Sequence, residues 1–251
     1  MAEHASTDDI VKMAYESCKT HWKEFIGFPI LISLLFGLMF GAVFYLVFAI
    51  SHLTIGLLPF LYLLMIVFWI TYLGAQVKWC EEIYKGRKNI DLQKGLSYGL
   101  SRFWGTLGTY LLTGIKILLW MLLLILPGYY KALMYSKSVH VSILEKKSGG
   151  DANRISEAIV KKAGPIRTLS NLFGVGILGE IILALVWLAS LILSGVLSYM
   201  NDSLGIIISG IIMTISIAFI LSLIFVYFHF EYLYFRDEAK KEVNKLKKAL
   251  S

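Results

Sequence analysis

Long apolar runs fill this chain, and the short stretches between them hold nearly all of its positive charge. All but three of the 24 Lys and Arg residues (the exceptions are Lys116, Lys131 and Lys137) fall in 1–24, 78–102, 145–167 and 236–251. Crossing about 30 Å of hydrocarbon at 1.5 Å per residue takes about 20 mostly apolar residues. Basic residues collect in the loops kept on the cytoplasmic side. The pattern predicts an all-α integral membrane protein with its basic stretches on one face.

Bulk properties agree. Hydrophobic content is 57% and mean hydropathy +0.71, above the roughly 45–50% apolar usage of soluble domains. With 251 residues and no long polar insert, 1–251 reads as a single membrane domain. The net charge of +7 sits beside the spans and is mixed with acids. Anionic headgroups or plain topology signalling account for it, and nucleic acid is not the expected partner. Cys18 and Cys80, with no C-x-x-C and no nearby His, read as reduced thiols. Asp8 and Asp9 stand where a signal peptide carries basic residues, and the first apolar run begins only near Phe25, so no cleavable signal is expected.

Six spans are predicted. Segment 1–24 is an interfacial helix, 25–78 a first hairpin turning at Ser51-His52, and 79–102 a cytoplasmic segment. A second hairpin occupies 103–144, with span 3 stopping at the helix breaker Pro127-Gly128. Segment 145–168 is cytoplasmic, 169–235 is a third hairpin turning at Asn201-Asp202, and 236–251 is a basic tail. The stretch Tyr129–Leu144 is polar for a span, with Lys131, Lys137 and His140. Its crossing is required by parity, since otherwise 145–167 and 236–251 face outward against the charge rule. Both termini are then cytosolic, in a cytoplasmic (inner) membrane.

Each hairpin follows an amphipathic segment. Val11, Tyr15, Cys18, Trp22 and Phe25 recur at three- and four-residue steps, one helical face, and Ser6 or Thr7 before Asp8-Asp9 suits a helix start. Leu92–Trp104 and Ile155–Leu169 hold matching places. Such helices lie in the interface with Lys heads reaching for phosphates. Three parallel helix-plus-hairpin modules and chance similarity among amphipathic segments both fit.

The stretch Leu111–Ser136, LLTGIKILLWMLLLILPGYYKALMYS, resembles the bacterial six-span membrane proteins grouped as domain of unknown function 975, which share an LWxLLxxIPGxxKAxxYS pattern. Ala14–Trp22 resembles that family's opening amphipathic helix, and Ser156-Glu157-Ala158-Ile159 its acidic-Ala-Ile step. The family's Gly-x-x-Trp approach to span 5 is missing here, where Pro165 and Arg167 follow Gly164. The resemblance implies six spans and supplies no catalytic residue.

Ionised groups at mid-bilayer depth cost at least about 2.5–3.5 kcal/mol on insertion scales. Lys116, Lys137 and Glu180 come to one depth at helical rise, as a buried cluster serving either an ion-linked or headgroup site or helix packing. His140 reads as a hydrogen-bonded interior group. His229 and Glu231, two apart, face apart on a helix, and no cluster has metal spacing. Gly37-x-x-x-Gly41 permits close helix approach, within the bundle or between copies. Lys240, Lys241, Lys245, Lys247 and Lys248 form a juxtamembrane helix suited to anionic headgroups. H-E-x-x-H, P-loop and G-x-S-x-G signatures are absent.

The expectation is a non-enzymatic membrane protein without cofactor or metal. It is an accessory subunit or organiser engaging anionic lipid or a protein partner at its cytoplasmic face. The alternative is a transporter or channel using Lys116, Lys137 and Glu180.

Overall fold

A computed structural model describes residues 7–49, 57–87, 89–198 and 202–250. The side chains of 36, 40–49, 57, 58, 180, 193, 194, 196–198, 202–214 and 218 lie outside that description. Every described element is helical. Helix α1 spans Thr7–Thr20, and a π-helical turn, Lys23–Gly27, leads into α2, Phe28–Ala49. Then come α3 (Leu57–Tyr84), α4 (Leu92–Ser101), α5 (Phe103–Leu123), α6 (Ile125–Met134) and α7 (Ser138–Leu144). Helices α8 (Gly149–Ala163), α9 (Pro165–Ser198), α10 (Asp202–Glu238) and α11 (Lys240–Ala249) follow. Among the described residues, four helices are long and apolar enough to cross a membrane: Pro59–Tyr84, Phe103–Leu123, Pro165–Ile192 and Ile215–Glu238. The count reaches five if the bent pair Thr7–Thr20 and Lys23–Met39 is one span. The protein is thus an all-α chain built to span a membrane.

Local chemistry sets the helix ends. Asp91 caps α4 by accepting from the Lys94 amide at 3.2 Å. Gly164, at φ 97°, ends α8, and Pro165 opens α9, the usual glycine stop and proline start. The break expected at Pro127-Gly128 comes earlier. Leu124 is extended, and Pro127 sits in the first turn of α6. The ring of Pro127 clashes with the carbonyl four residues back, Leu123, so the helix must open just after that residue, and a first turn tolerates proline.

Two compact units form in place of the single expected domain. One comprises Met1–Ser17, Val67–Phe173 and Val226–Ser251. Within it α6 and α7 retrace α5 in the opposite direction. Gly128 packs on Met121 near one end of α5, and at the other end Arg102 Nη2 donates to the Ser142 carbonyl at 2.9 Å. The expected fourth span is therefore two short helices interrupted at 135–137. Helix α8 runs beside α5. The Gly149 amide donates to Thr109 Oγ1 at 3.0 Å, and Thr113 Oγ1 donates to Asn153 Oδ1 at 2.8 Å. Helix α11 lies antiparallel to α8, with Lys162 3.8 Å from Glu242 and Lys147 Nζ donating to the Leu250 carbonyl.

The other unit comprises Cys18–Ile66 and Gly174–Phe225. It holds the π-helical turn, where Phe25 is fully buried and Trp22 covers Gly27. It also holds the uncharged α2 and parts of α3, α9 and α10.

Several boundaries move outward from their expected places. Helix α3 continues six residues past Lys78 to Tyr84, α9 begins at Pro165, before Leu169, and α10 runs to Glu238, past Phe235. In α1 the stripe buried against protein is Ile10, Ala14, Ser17 and Cys18, while Val11, Tyr15 and Trp22 of the expected face are exposed. Cys18 and Cys80 are free and buried. The turn residues Ser51, His52 and Asn201 lie outside the described residues.

Close helix approach occurs at a different glycine pair from the expected one. Gly37 has nothing within 4 Å of a Cβ position among the described residues, and the surroundings of Gly41 are not described. Helix α4 instead uses Gly95-x-x-x-Gly99. A Cβ on Gly95 would strike the Trp79 indole, and one on Gly99 the Thr71 carbonyl. The Trp79 indole N–H meanwhile donates to the Asp91 carbonyl at 3.1 Å. Gly99→Ala should lower stability by about 1–3 kcal/mol, the usual cost of overpacking, whereas Gly37→Ala should be neutral. Thermal unfolding in detergent checks both, and equal midpoints for the two variants would contradict the packing account.

Candidate functional site

The end of α10 carries FHFEYLYFRDE, ionisable groups interleaved with aromatics. From Val226 to Phe235 nearly every residue is buried, His229 and Glu231 to 1% exposure each. His229 and Glu231 do point apart, as their spacing requires. Both are nonetheless buried, because other elements enclose the helix on all sides here.

Glu231 pairs with Lys137, itself 4% exposed, and accepts from Asn171 Nδ2 at 2.8 Å. The Lys137 ammonium also stands 5.4 Å from the Phe228 ring and 5.7 Å from the Phe235 ring. The break between α6 and α7 aims this side chain inward. Ser156 of α8 fastens the break, accepting from the Lys137 amide at 3.1 Å and donating to the Met134 carbonyl at 2.8 Å. One turn along α7, His140 Nε2 lies 2.8 Å from His229 Nδ1. The His140 ring stacks on Tyr232 at 5.0 Å. His140 Nδ1 and His229 Nε2 have no hydrogen-bond partner.

A second layer lies toward the end of α10. The Tyr232 hydroxyl donates to Glu145 at 3.4 Å. Arg236 lies 3.6 Å from Glu145 and 3.7 Å from Glu81. Glu81 also holds Lys78 and Lys85, at 2.7 and 2.6 Å. Lys247 of α11 pairs with Glu145, so the tail is tied into the network. Arg167 pairs with Glu238 at 3.1 Å and covers the Phe235 ring at 5.1 Å. Tyr98 seals one flank, its hydroxyl donating to the Ile143 carbonyl at 2.6 Å. Burial pushes the Tyr98 pKa upward, which keeps that donor protonated. Among the described residues no three His, Cys, Asp or Glu side chains are placed to hold a metal. The arrangement holds elements together by charge compensation.

Of the residues singled out from sequence, Lys137 enters this core, with Glu231 as partner where Glu180 had been expected. The Glu180 side chain lies outside the described residues. Lys116 is half-buried and faces the start of α8, its Nζ 3.7 Å from the Cβ position of Gly150. Lys131 lies 3.6 Å from Glu157 and over the Trp120 and Tyr135 rings. Bonding to Lys161 lowers the Glu157 pKa, helped by the charge of Lys131, so this carboxylate stays ionised. Lys240, Lys241, Lys245 and Lys248 are exposed, and Lys247 is half-buried. Sequence reasoning missed Glu231 as the partner of Lys137, along with Asn171, Ser156, Glu81 and Arg236. The available signal was the density of ionisable groups among aromatics in 227–238.

Compared with protein-family models, curated proteins and solved structures, the chain matches none.

Removing one member of a buried pair strands the other charge. Glu231→Gln should therefore destabilise the protein by about 3–5 kcal/mol. Combining it with Lys137→Met should recover much of the loss. Chemical unfolding in detergent micelles reads this, and a double variant no more stable than Glu231→Gln would disprove the pairing as the cause.

Proposed function

We propose that the protein is a non-enzymatic, multi-pass component of the cytoplasmic (inner) membrane, with both termini in the cytosol. It acts as an accessory subunit or membrane organiser that engages anionic lipid or a protein partner through its cytoplasmic face. One observation carries this reading. The ionisable groups at the end of α10 are spent on one another in a closed core, while the surface around them is apolar or basic. Trp104 is 78% exposed, and Val11, Tyr15 and Trp22 about half. Contiguous exposure of this kind belongs against lipid or a partner.

The proposed topology has six passages, by α2, α3, α5, the paired return arm α6–α7, α9 and α10. It supports a common side for all four basic stretches, because α6–α7 returns the chain along α5. Exposed apolar side chains from Leu118 to Leu126 suit lipid contact. Helix α8, with Arg154, Lys161 and Lys162 exposed, lies along the same α5. That observation favours a second form of the hairpin, entering from the cytosol and returning at partial depth. Parity is the same in both. Membership of the six-span family of domain of unknown function 975, which Leu111–Ser136 resembles, is part of this proposal.

Single-cysteine labelling with an impermeant reagent separates these cases, in a Cys18→Ala, Cys80→Ala background. Position 202 should react in intact cells and position 245 should not. Labelling at 245 would overturn the topology. Reaction at position 126 marks a full crossing of the hairpin, and protection marks partial entry. For the interfacial role, Val11→Ser with Tyr15→Ser should leave the spans folded and reduce co-purification of anionic lipid or partner protein. Unchanged co-purification would remove the motive for the organiser reading.

A transport reading rests on the His140–His229 contact beside Lys137–Glu231, since buried titratable chains are how membrane proteins relay protons. Proton flux in proteoliposomes, abolished by His229→Gln, would displace the organiser reading. No flux above empty vesicles is expected.

A further inference from the structure

Arg102, Gly105, Thr109, Thr113 and Lys116 recur at steps of three and four and form one face of α5. The contacts of that face are with α7 and the first turn of α8. Ser148, at the N-cap of this 15-residue helix, makes no side-chain cap bond. The Gly149 amide is taken by Thr109. The helix end is thus left with amide donors and the positive pole of the backbone dipole. Yet the nearest side-chain atom to the Cβ position of Gly150 is the ammonium of Lys116, at 3.7 Å. A cation at the positive end of a helix is unfavourable. Asp151, in the first turn, makes no ion pair within 4 Å among the described residues, and neither does Lys116.

Side-chain donors around the turn are also unspent. Ser142, fully buried, has no partner for its hydroxyl. That oxygen points into the gap shared by Gly105 and Ser148, lying 3.7 Å from the Cβ position of Gly105, with Ser148 Cβ at 3.9 Å and Arg102 Nη2 at 3.7 Å. Asn153, 2% exposed, uses its oxygen on Thr113 and leaves Nδ2 unpartnered. Arg102 Nε is likewise buried without a partner. Ammonium, guanidinium, amide, hydroxyl and helix pole converge, and what they lack is an acceptor with negative charge. Buried donors left unmade cost about 1–3 kcal/mol each, so their concentration in one place is informative.

We infer that the Ser148–Gly150 turn, together with Lys116, Arg102, Ser142 and Asn153, binds a phosphate group. Helix N-termini with small residues are natural phosphate sites. The phosphate belongs either to a phospholipid headgroup or to a free phosphate or phosphomonoester of the cytosol. Leu111 and Ile115, exposed on the outer side of α5, suit the acyl chains of a lipid. The inference deepens the cytoplasmic-face reading but is measured in detergent, where sidedness plays no part, so it can fail while the topology stands.

The experiment uses the purified full chain. Inorganic phosphate is titrated with a phosphorus NMR readout, and phosphatidylglycerol is compared with phosphatidylcholine by native mass spectrometry. Saturable binding of phosphate or phosphatidylglycerol is expected, weakened about tenfold or more in Lys116→Met, the loss of one charge-assisted bond. Asn153→Asp, near-isosteric and negatively charged, should abolish it, and this second variant covers the case in which Lys116→Met folds poorly. Phosphatidylglycerol binding without inorganic phosphate binding identifies the lipid source, and binding of both identifies a general phosphate site. Absence of saturable binding to either, or binding unchanged in both variants, overturns the inference.

Discussion

A buried charge cannot be left alone, and the unit that carries the end of α10 is organised around this constraint. Lys137 and Glu231 are nearly inaccessible and are separated by two helices, α8 and α9, in the chain. The desolvation cost of such a pair is met only when geometry is good and remaining polar atoms are bonded. Asn171 supplies the extra bond on Glu231, and Ser156 fixes the backbone of Lys137. The pair therefore dictates where α6, α7, α8, α9 and α10 stand relative to one another. The glycine contacts of α4 and the bonds of α11 to Glu145 and α8 are built onto that frame.

Helix α5 carries two chemistries on one cylinder. One side is Leu, Ile and Trp left open, as a lipid-facing surface must be. The other is Arg102, Gly105, Thr109, Thr113 and Lys116, turned to polar partners. Lys116 reads from composition as an isolated charge at bilayer depth. Its position beside the first turn of α8 changes its meaning, because an ammonium facing the positive end of a helix is a different physical problem from an ammonium facing hydrocarbon.

Much of the fold was legible in the chain. Helical class, the alternation of apolar spans with basic segments, the stop at Gly164-Pro165 and the break near Pro127 follow from residue-level rules. The interior placement of His140 was also foreseen. Less legible were the partners. Lys137 was recognisable as a costly charge, but Glu231 was set aside because His229 and Glu231 cannot share a helical face. That geometry is correct, and the inference failed because the helix is enclosed on all sides. The glycine pair at Gly37 and Gly41 stood out in its apolar run, whereas Gly95 and Gly99 make the tight contacts, in a segment whose polarity hid the motif.

By itself the sequence determined the all-helical, membrane-spanning character of the chain and the approximate helix ends. Hydrophobic length, charge placement and backbone stereochemistry act over one to a few turns. Only the tertiary structure decided that Lys137 meets Glu231, that Ser156 locks the α6–α7 break, and that the donors of α5 converge on the start of α8. Those contacts join residues far apart in the chain, and the selecting force is the cost of burying an uncompensated charge or an unmade hydrogen bond. That cost has no value until the chain has closed around the group.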